Sequence, residues 1–137
     1  MTHLILLDNE AVQALGDPDH PKHRRVLSHI QVVAQRKRRT ADISPEVPTA
    51  VRVEAGWDRT KPTWAFANQL RIRDDDLNRS RADTAAAIRT QVDVSVPDAH
   101  IGAVLRSRHS GRVTVLTSDP SDVRGVAGSR AVTIVTI

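Results

Sequence analysis

Apolar residues recur along the chain in two rhythms, short β-branched runs and longer stretches with helical spacing. Leu4, Ile5, Leu6 and Leu7 form a continuous apolar run, the pattern of a strand buried on both faces. A short helix is expected over 9–15, broken by Gly16-Asp17-Pro18-Asp19. The next helix is predicted over 21–36, where Val26, Leu27, Ile30, Val33 and Ala34 make one stripe. A turn-rich stretch then leads to a short strand over 45–49. Two helices follow, one carrying Val51, Val53, Glu54 and Trp57, the other beginning after Pro62 with Trp64, Phe66, Ala67 and Leu70 as core contacts. A short strand is read over 70–73. Asp74-Asp75-Asp76 is read as the opening of a helix over 77–90, since acidic residues suit the positive end of a helix dipole. Residues 92–96 read as extended. Pro97-Asp98 starts a helix with Ile101, Val104 and Leu105 inward, which Ser110-Gly111 ends. A strand over 113–117, a turn and helix from Ser118-Asp119-Pro120, and a last strand over 131–137 complete the pattern. Strands that alternate with helices predict a mainly parallel sheet covered on both faces, a three-layer α/β/α sandwich.

The 137 residues are the size of one domain and leave no room for a second. With an aromatic content of only 2%, the core must come from Val, Ile, Leu and Ala. The absence of cysteine excludes disulfides and thiolate metal sites. The N-terminal apolar run is too short for a signal peptide and no stretch of apolar residues is long enough to span a bilayer, so a soluble, cytoplasmic protein is expected. The net charge is +4, and Arg36-Lys37-Arg38-Arg39 forms a compact basic run. Such a run is either the solvated end of a helix or a patch that attracts a polyanion.

Three acidic residues fall where a strand hands over to a helix, or in a helix's first turn: Asp8, Asp98 and Asp119. In an open parallel sheet the carboxyl ends of the strands line the ligand crevice. Glu54, on the helix after the second strand, can reach the same crevice. Carboxylates gathered this closely repel one another, and a hard divalent cation with a preference for oxygen relieves the repulsion. The same cation can activate a water and neutralise charge on a phosphodiester. Each acid also has a structural reading of its own. Asp8 can cap a helix, Asp98 can favour a helix dipole, and Asp119 before Pro120 can serve a turn.

Leu-Leu-Asp-Asn near the N-terminus, Val-Glu in a mid-chain helix, Pro-Asp-Ala-His-Ile-Gly-Ala-Val, and Val-Leu-Thr-Ser-Asp-Pro stand in this order along the chain. Together they resemble the PIN-domain family, and within it the VapC-type toxins of bacterial toxin–antitoxin pairs. The resemblance covers essentially the whole chain. It implies an α/β/α fold with a parallel sheet and an endoribonuclease, dependent on Mg²⁺ or Mn²⁺, that cuts single-stranded or loop RNA. It assigns Asp8, Glu54, Asp98 and Asp119 as the four acidic, metal-binding residues. Thr117 is implied as a hydroxyl that hydrogen-bonds within the site, and Asp122 as an assisting acid. The chain departs from the pattern at Asn9, which stands where Thr or Ser is common and could still donate to Asp8. It departs also at Glu10, an extra carboxylate that either adds a metal contact or points to solvent.

A cognate antitoxin is the implied partner, reaching the carboxylates with an Arg or Lys and packing against Trp57, Trp64 and Phe66. A homodimer or a toxin–antitoxin hetero-oligomer is the implied assembly. His20 and His23 are too few to complete a metal site and are read as surface residues; His100 is read as packing or hydrogen-bonding. Two other functions share these features. One is a PIN-like module that binds RNA without cutting it. The other is a receiver-like phosphorylation switch, with Glu10 beside Asp8, although the only lysines, Lys22, Lys37 and Lys61, precede the later strands where that fold needs one.

Overall fold

The computed structural model describes residues 3–37, 43–107 and 111–137, and for residues 32–37 the backbone only. The basic run from Arg36 to Arg39 therefore lies outside the described side chains. The five strands are β1 His3–Leu7, β2 Ile43–Pro48, β3 Arg73–Asp75, β4 Arg112–Thr117 and β5 Thr133–Thr136. They form one sheet in the order β3-β2-β1-β4-β5, and every neighbouring pair is parallel. The helices are α1 Asn9–Gly16, α2 His23–Lys37, α3 Thr49–Ala55, α4 Ala65–Gln69, α5 Arg79–Gln91, α6 Val96–Ser107 and α7 Pro120–Ala127, with a 3-10 turn at Pro62–Trp64. One helical layer is built around α1, which meets α2, α3 and α4; the other around α6, which meets α5 and α7, and α3 touches α6 as well. The expected three-layer α/β/α architecture is the one formed. A receiver-like reading is overturned by the strand order, since that fold places its strands 2-1-3-4-5.

Parallel strands are covered on both faces, and β1 shows what that requires: Leu4, Ile5, Leu6 and Leu7 are all buried. Val113, Val115 and Leu116 of β4 lie beside them in register, with Leu7 opposite Leu116. The helical layers complete the core through Val12, Leu15, Val26 and Ile30 on one side and Ile88, Ile101, Val104, Leu105 and Val126 on the other. No described helix is long and apolar enough to cross a membrane.

Several boundaries differ from the sequence pattern, each for a local reason. Arg71 adopts a left-handed φ of 56°, so β3 begins only after it rather than spanning 70–73. Asp74 and Asp75 therefore belong to β3 and do not open a helix. The cap of α5 is Asn78, whose side chain accepts from the Arg81 amide at 2.9 Å. Residues 92–95 form no strand, and α6 starts at Val96 once the Ser95 hydroxyl accepts from the Asp98 amide at 3.2 Å. Trp57 lies beyond α3, which Gly56 closes in the left-handed conformation at φ 75°. The helix expected from Pro21 begins at His23, after a turn.

Gly102 lies where α6 approaches α5 and α7 closely. A Cβ placed there would stand 2.8 Å from Ile88 Cδ1, 2.8 Å from Val126 Cβ and 2.9 Å from the Val126 carbonyl oxygen. Helix propensity alone favours Ala over Gly by about 1 kcal/mol. Overpacking costs about 1–3 kcal/mol, and the Val126 carbonyl is backbone that cannot swing aside. Gly102→Ala is expected to lower the melting temperature in thermal unfolding, and Gly102→Val to lower it further; an unchanged value for both would refute this close packing.

Candidate active site

In the order β3-β2-β1-β4-β5 the chain first builds outward from β1 through β2 and β3, then returns to add β4 on the other side. The boundary between β1 and β4 is thus the switch point, and a crevice opens beyond their carboxyl ends. Asp8 follows β1 there. Its amide donates to the Leu116 carbonyl at 3.2 Å and extends the β1–β4 ladder by one bond. Its carboxylate caps α1 through the Ala11 amide at 3.0 Å and reaches across to accept from the Ser118 amide at 3.2 Å. The buried Thr117 hydroxyl also donates to it. The capping role and the site position therefore coincide. The same Thr117 oxygen accepts from the Asp119 amide at 2.9 Å, which sets the turn after β4.

The other acids surround this point from separate elements. Asp98 sits in the first turn of α6, half-buried. Glu54 is exposed near the end of α3, and α3 packs against α6. Asp119 is exposed and caps α7, accepting from the Asp122 amide at 3.2 Å and the Ser121 hydroxyl at 3.0 Å. Asp122 follows one turn later.

Their charges act on one another. Burial pushes the Asp8 carboxyl up against its hydrogen bonds, and Asp98 adds to the rise. Burial raises Glu54 as well, with further contributions from the charges of Asp98 and Asp8. Asp98 is raised by burial first and then by Asp119, the Ser95 hydroxyl opposing. Asp122 is raised by burial and by its contact with Asp119, while the amide and hydroxyl bonds of its cap hold Asp119 low. Among the described residues, no Lys, Arg or His forms an ion pair with any of these five acids. Equally, no three carboxylates or imidazoles among the described residues already stand where they could hold an ion together. The donor set is all oxygen and suits a hard divalent cation chemically. To share one, the outer side chains must turn inward, Asp119 away from its cap and Glu54 from solvent.

Two neighbouring residues have other partners. The Asn9 side-chain oxygen Oδ1 accepts from the Gln13 side-chain Nε2 at 3.1 Å along α1. Glu10 is held by His20 at 3.0 Å and Lys22 at 3.8 Å. The His20 Nδ1 accepts from the Lys22 amide, so its Nε2 carries the proton that faces Glu10. His23 Nδ1 donates to the Ala14 carbonyl at 2.7 Å. The two histidines thus serve separate local contacts. Trp57 is 3% exposed, stacks on Trp64 at 5.6 Å and lies beneath Arg59 at 4.3 Å, and what remains open of it lines a shallow pocket with Val53 and Gly56. Of the three aromatics only Phe66, 42% exposed, offers a large open surface.

Sequence reasoning missed the acids that are neutralised. Asp74 is clamped by Arg52 and Arg59, both at 2.8 Å. Asp75 is buried and takes a two-pronged bond from Arg81. Burial raises the Asp75 carboxyl, but hydrogen bonds from His100 and Arg81, with the Arg81 charge, outweigh it and bring the pKa down to about 2.

No known protein-family model matches the chain, and no curated protein matches it in sequence. Solved structures do match in fold. VapBC2 from Rickettsia felis, in a crystal structure bound to a DNA fragment from its promoter, aligns over 98% of both chains with a TM-score of 0.61 at 10% identity. FitAcB from Neisseria gonorrhoeae aligns over 95% of both chains with a TM-score of 0.54 at 18% identity. At these identities the likeness is one of fold, and the fold is PIN-like.

Proposed function

We propose that the chain is one PIN-like nuclease domain, an endoribonuclease dependent on Mg²⁺ or Mn²⁺, and the toxin of a toxin–antitoxin pair. The observation that carries this reading is a contrast in charge. The chain has 20 Lys and Arg residues, and described arginines neutralise Asp74 and Asp75, yet none pairs with Asp8, Glu54, Asp98 or Asp119 at the switch point. Acids left unpaired in this way favour an external cation. A bound divalent ion would supply an activated water and relief of charge on the scissile phosphate.

The chain's own residues divide the remaining work. Thr117, Ser118 and Ala11 hold Asp8 in one orientation at the floor of the crevice. Ser95 orients the start of α6 and hydrogen-bonds to the Asp98 carboxyl. Glu54 makes no hydrogen bond or ion pair among the described residues and is free to turn inward. Asp119 and Asp122 form the outer rim. The fold likeness to VapBC2 and FitAcB, both toxin–antitoxin complexes, supports a protein partner. Such a partner would offer an Arg to the unpaired carboxylates and rest on the open face at Phe66.

Chelator should abolish RNA cleavage, and Mg²⁺ or Mn²⁺ should restore it. Asp8→Asn and Asp98→Asn should each cut cleavage by at least about a hundredfold while remaining folded. Cleavage that persists in excess EDTA would refute the metal dependence, and RNA binding without cleavage would leave a non-catalytic module.

The pH dependence has a definite sign. Burial and mutual charge raise Asp8, Glu54 and Asp98, so folding favours their protonated forms. Their stabilising contribution is present at acid pH and is lost as pH rises through the raised values. A divalent cation binds the ionised forms and reverses that loss. Manganese at about a hundred times its dissociation constant should raise the melting temperature by on the order of 10 °C at about pH 7.5. The rise should shrink as the pH is lowered through the raised values of these acids, and an equal rise throughout would count against these ligands.

Expression of the chain alone should arrest bacterial growth, and co-expression of a small protein encoded beside it should restore growth. The purified partner should suppress cleavage, with excess Mg²⁺ relieving part of the block. A tight partner that leaves cleavage untouched would rule out occupation of the carboxylates.

A further inference from the structure

His100 is fully buried on α6 and joins four elements. Its Nδ1 lies 3.3 Å from the Ala50 amide of α3, and its Nε2 lies 3.4 Å from the Asp75 carboxylate at the end of β3. An amide can only donate, so Nδ1 is the bare nitrogen and Nε2 carries the proton given to Asp75. Arg81 of α5 grips both oxygens of Asp75, at 3.0 and 3.2 Å. The ring is thereby fixed in position and in tautomer.

The Ala50 contact answers a local need. Helix α3 has only seven residues, and its cap residue is Pro48, which provides no side-chain hydrogen bond. Its first-turn amides therefore need acceptors from elsewhere. His100 supplies one from another helix. Ala50 lies one turn before Glu54 on α3, and Asp98 lies two residues before His100 on α6. The contact thus joins the two helices that carry Glu54 and Asp98, whose charges oppose each other.

We propose that His100, held by Asp75 and Arg81, is a positioning residue that locks α3 against α6 and so sets how Glu54 stands relative to Asp98. The proposal rests on the reading of these acids as cation ligands. His100 touches neither RNA nor ion; it acts through Glu54. A positioning residue and a plain core histidine differ in how their effects combine with those of Glu54.

The test is a double-mutant cycle on Mn²⁺ affinity, measured by calorimetric titration of the whole chain, with His100→Gln and Glu54→Gln. Glutamine can still donate to Asp75 but gives up the bond to Ala50. His100→Gln should weaken Mn²⁺ binding about tenfold in the wild-type background, as loss of an outer support does. In the Glu54→Gln background the same change should cost less than about twofold, because the group it positions is gone. An equal loss in both backgrounds, or no loss in a folded His100→Gln protein, overturns the positioning role while the metal site stands. A wild-type chain that binds no Mn²⁺, or a Glu54→Gln chain that binds it unchanged, defeats the metal reading and this inference with it. Should His100→Gln fail to fold, Asp75→Asn, which keeps the ring in place and weakens its support, takes its position in the cycle with the same expected outcomes.

Discussion

The carboxylate of Asp8 ties together three pieces of chain that would otherwise meet only through backbone. It ends β1, caps α1 through Ala11, and accepts from Ser118 and Thr117 at the end of β4. This is possible only because β1 and β4 are adjacent and run the same way, so that both carboxyl ends reach the same edge of the sheet. The three hydrogen bonds fix the side chain, yet burial still raises its pKa, so they do not fully compensate the buried charge. A fixed, incompletely compensated carboxylate at a switch point sets the character of the crevice, and Asp98 and Glu54 then add charge of the same sign.

The protein treats its acidic residues in two opposite ways. On one side of the fold, Arg52, Arg59 and Arg81 neutralise Asp74 and Asp75, His100 hydrogen-bonds to Asp75, and these contacts bind β3 to α3, α5, α6 and the loop after α3. At the switch point Asp8, Asp98 and Asp119 are hydrogen-bonded while Glu54 is not, and none of the four has a basic partner among the described residues. Self-repulsion there lowers the stability of the folded chain, and the structure carries this cost where a ligand could relieve it. The neutralised acids are structural glue for the elements that hold the others in place.

What was legible in the sequence followed from rules that act over a few residues. The apolar run before Asp8, the β-branched run over 113–117 and the stripes of the longer helices gave the strands, the layers and the parallel sheet. The motif Ser118-Asp119-Pro120 marked a strand-to-helix turn, and its capping geometry was formed. The errors came where distant residues decide. Three consecutive aspartates suit a helix start by local rules, but Arg52, Arg59 and Arg81 make two of them tolerable in a strand. Trp57 was placed in a helix because its spacing fits; Gly56 ends that helix first, and the ring is buried under Arg59. Glu54 stands among Val51, Val53 and Ala55 in sequence, yet Val53 beside it is 82% exposed. The position of Glu54 is thus set by the packing of α3 on α6, which no local pattern reveals.

The arrangement divides into a fixed half and an adjustable half. Asp8 is 8% exposed and held by both sheet and helix, whereas Glu54, on the seven-residue α3, and Asp119, capping the eight-residue α7, are exposed. A site that had every acid buried and immobile would have to bear the full repulsion in the folded state, at a cost of several kcal/mol for each uncompensated charge. Leaving the outer acids in solvent screens them until something of opposite sign arrives. It also means that the approach of Glu54 depends on how α3 is anchored at its other end. A seven-residue helix without a side-chain cap cannot hold itself in place by its own hydrogen bonds. Its anchorage comes instead from Val51 in the core, from Arg52 on Asp74, and from the His100 ring at Ala50. The precision of the crevice is therefore built partly on the neutralised acids beneath it, and the two opposite treatments of carboxylate in this chain serve a single geometry.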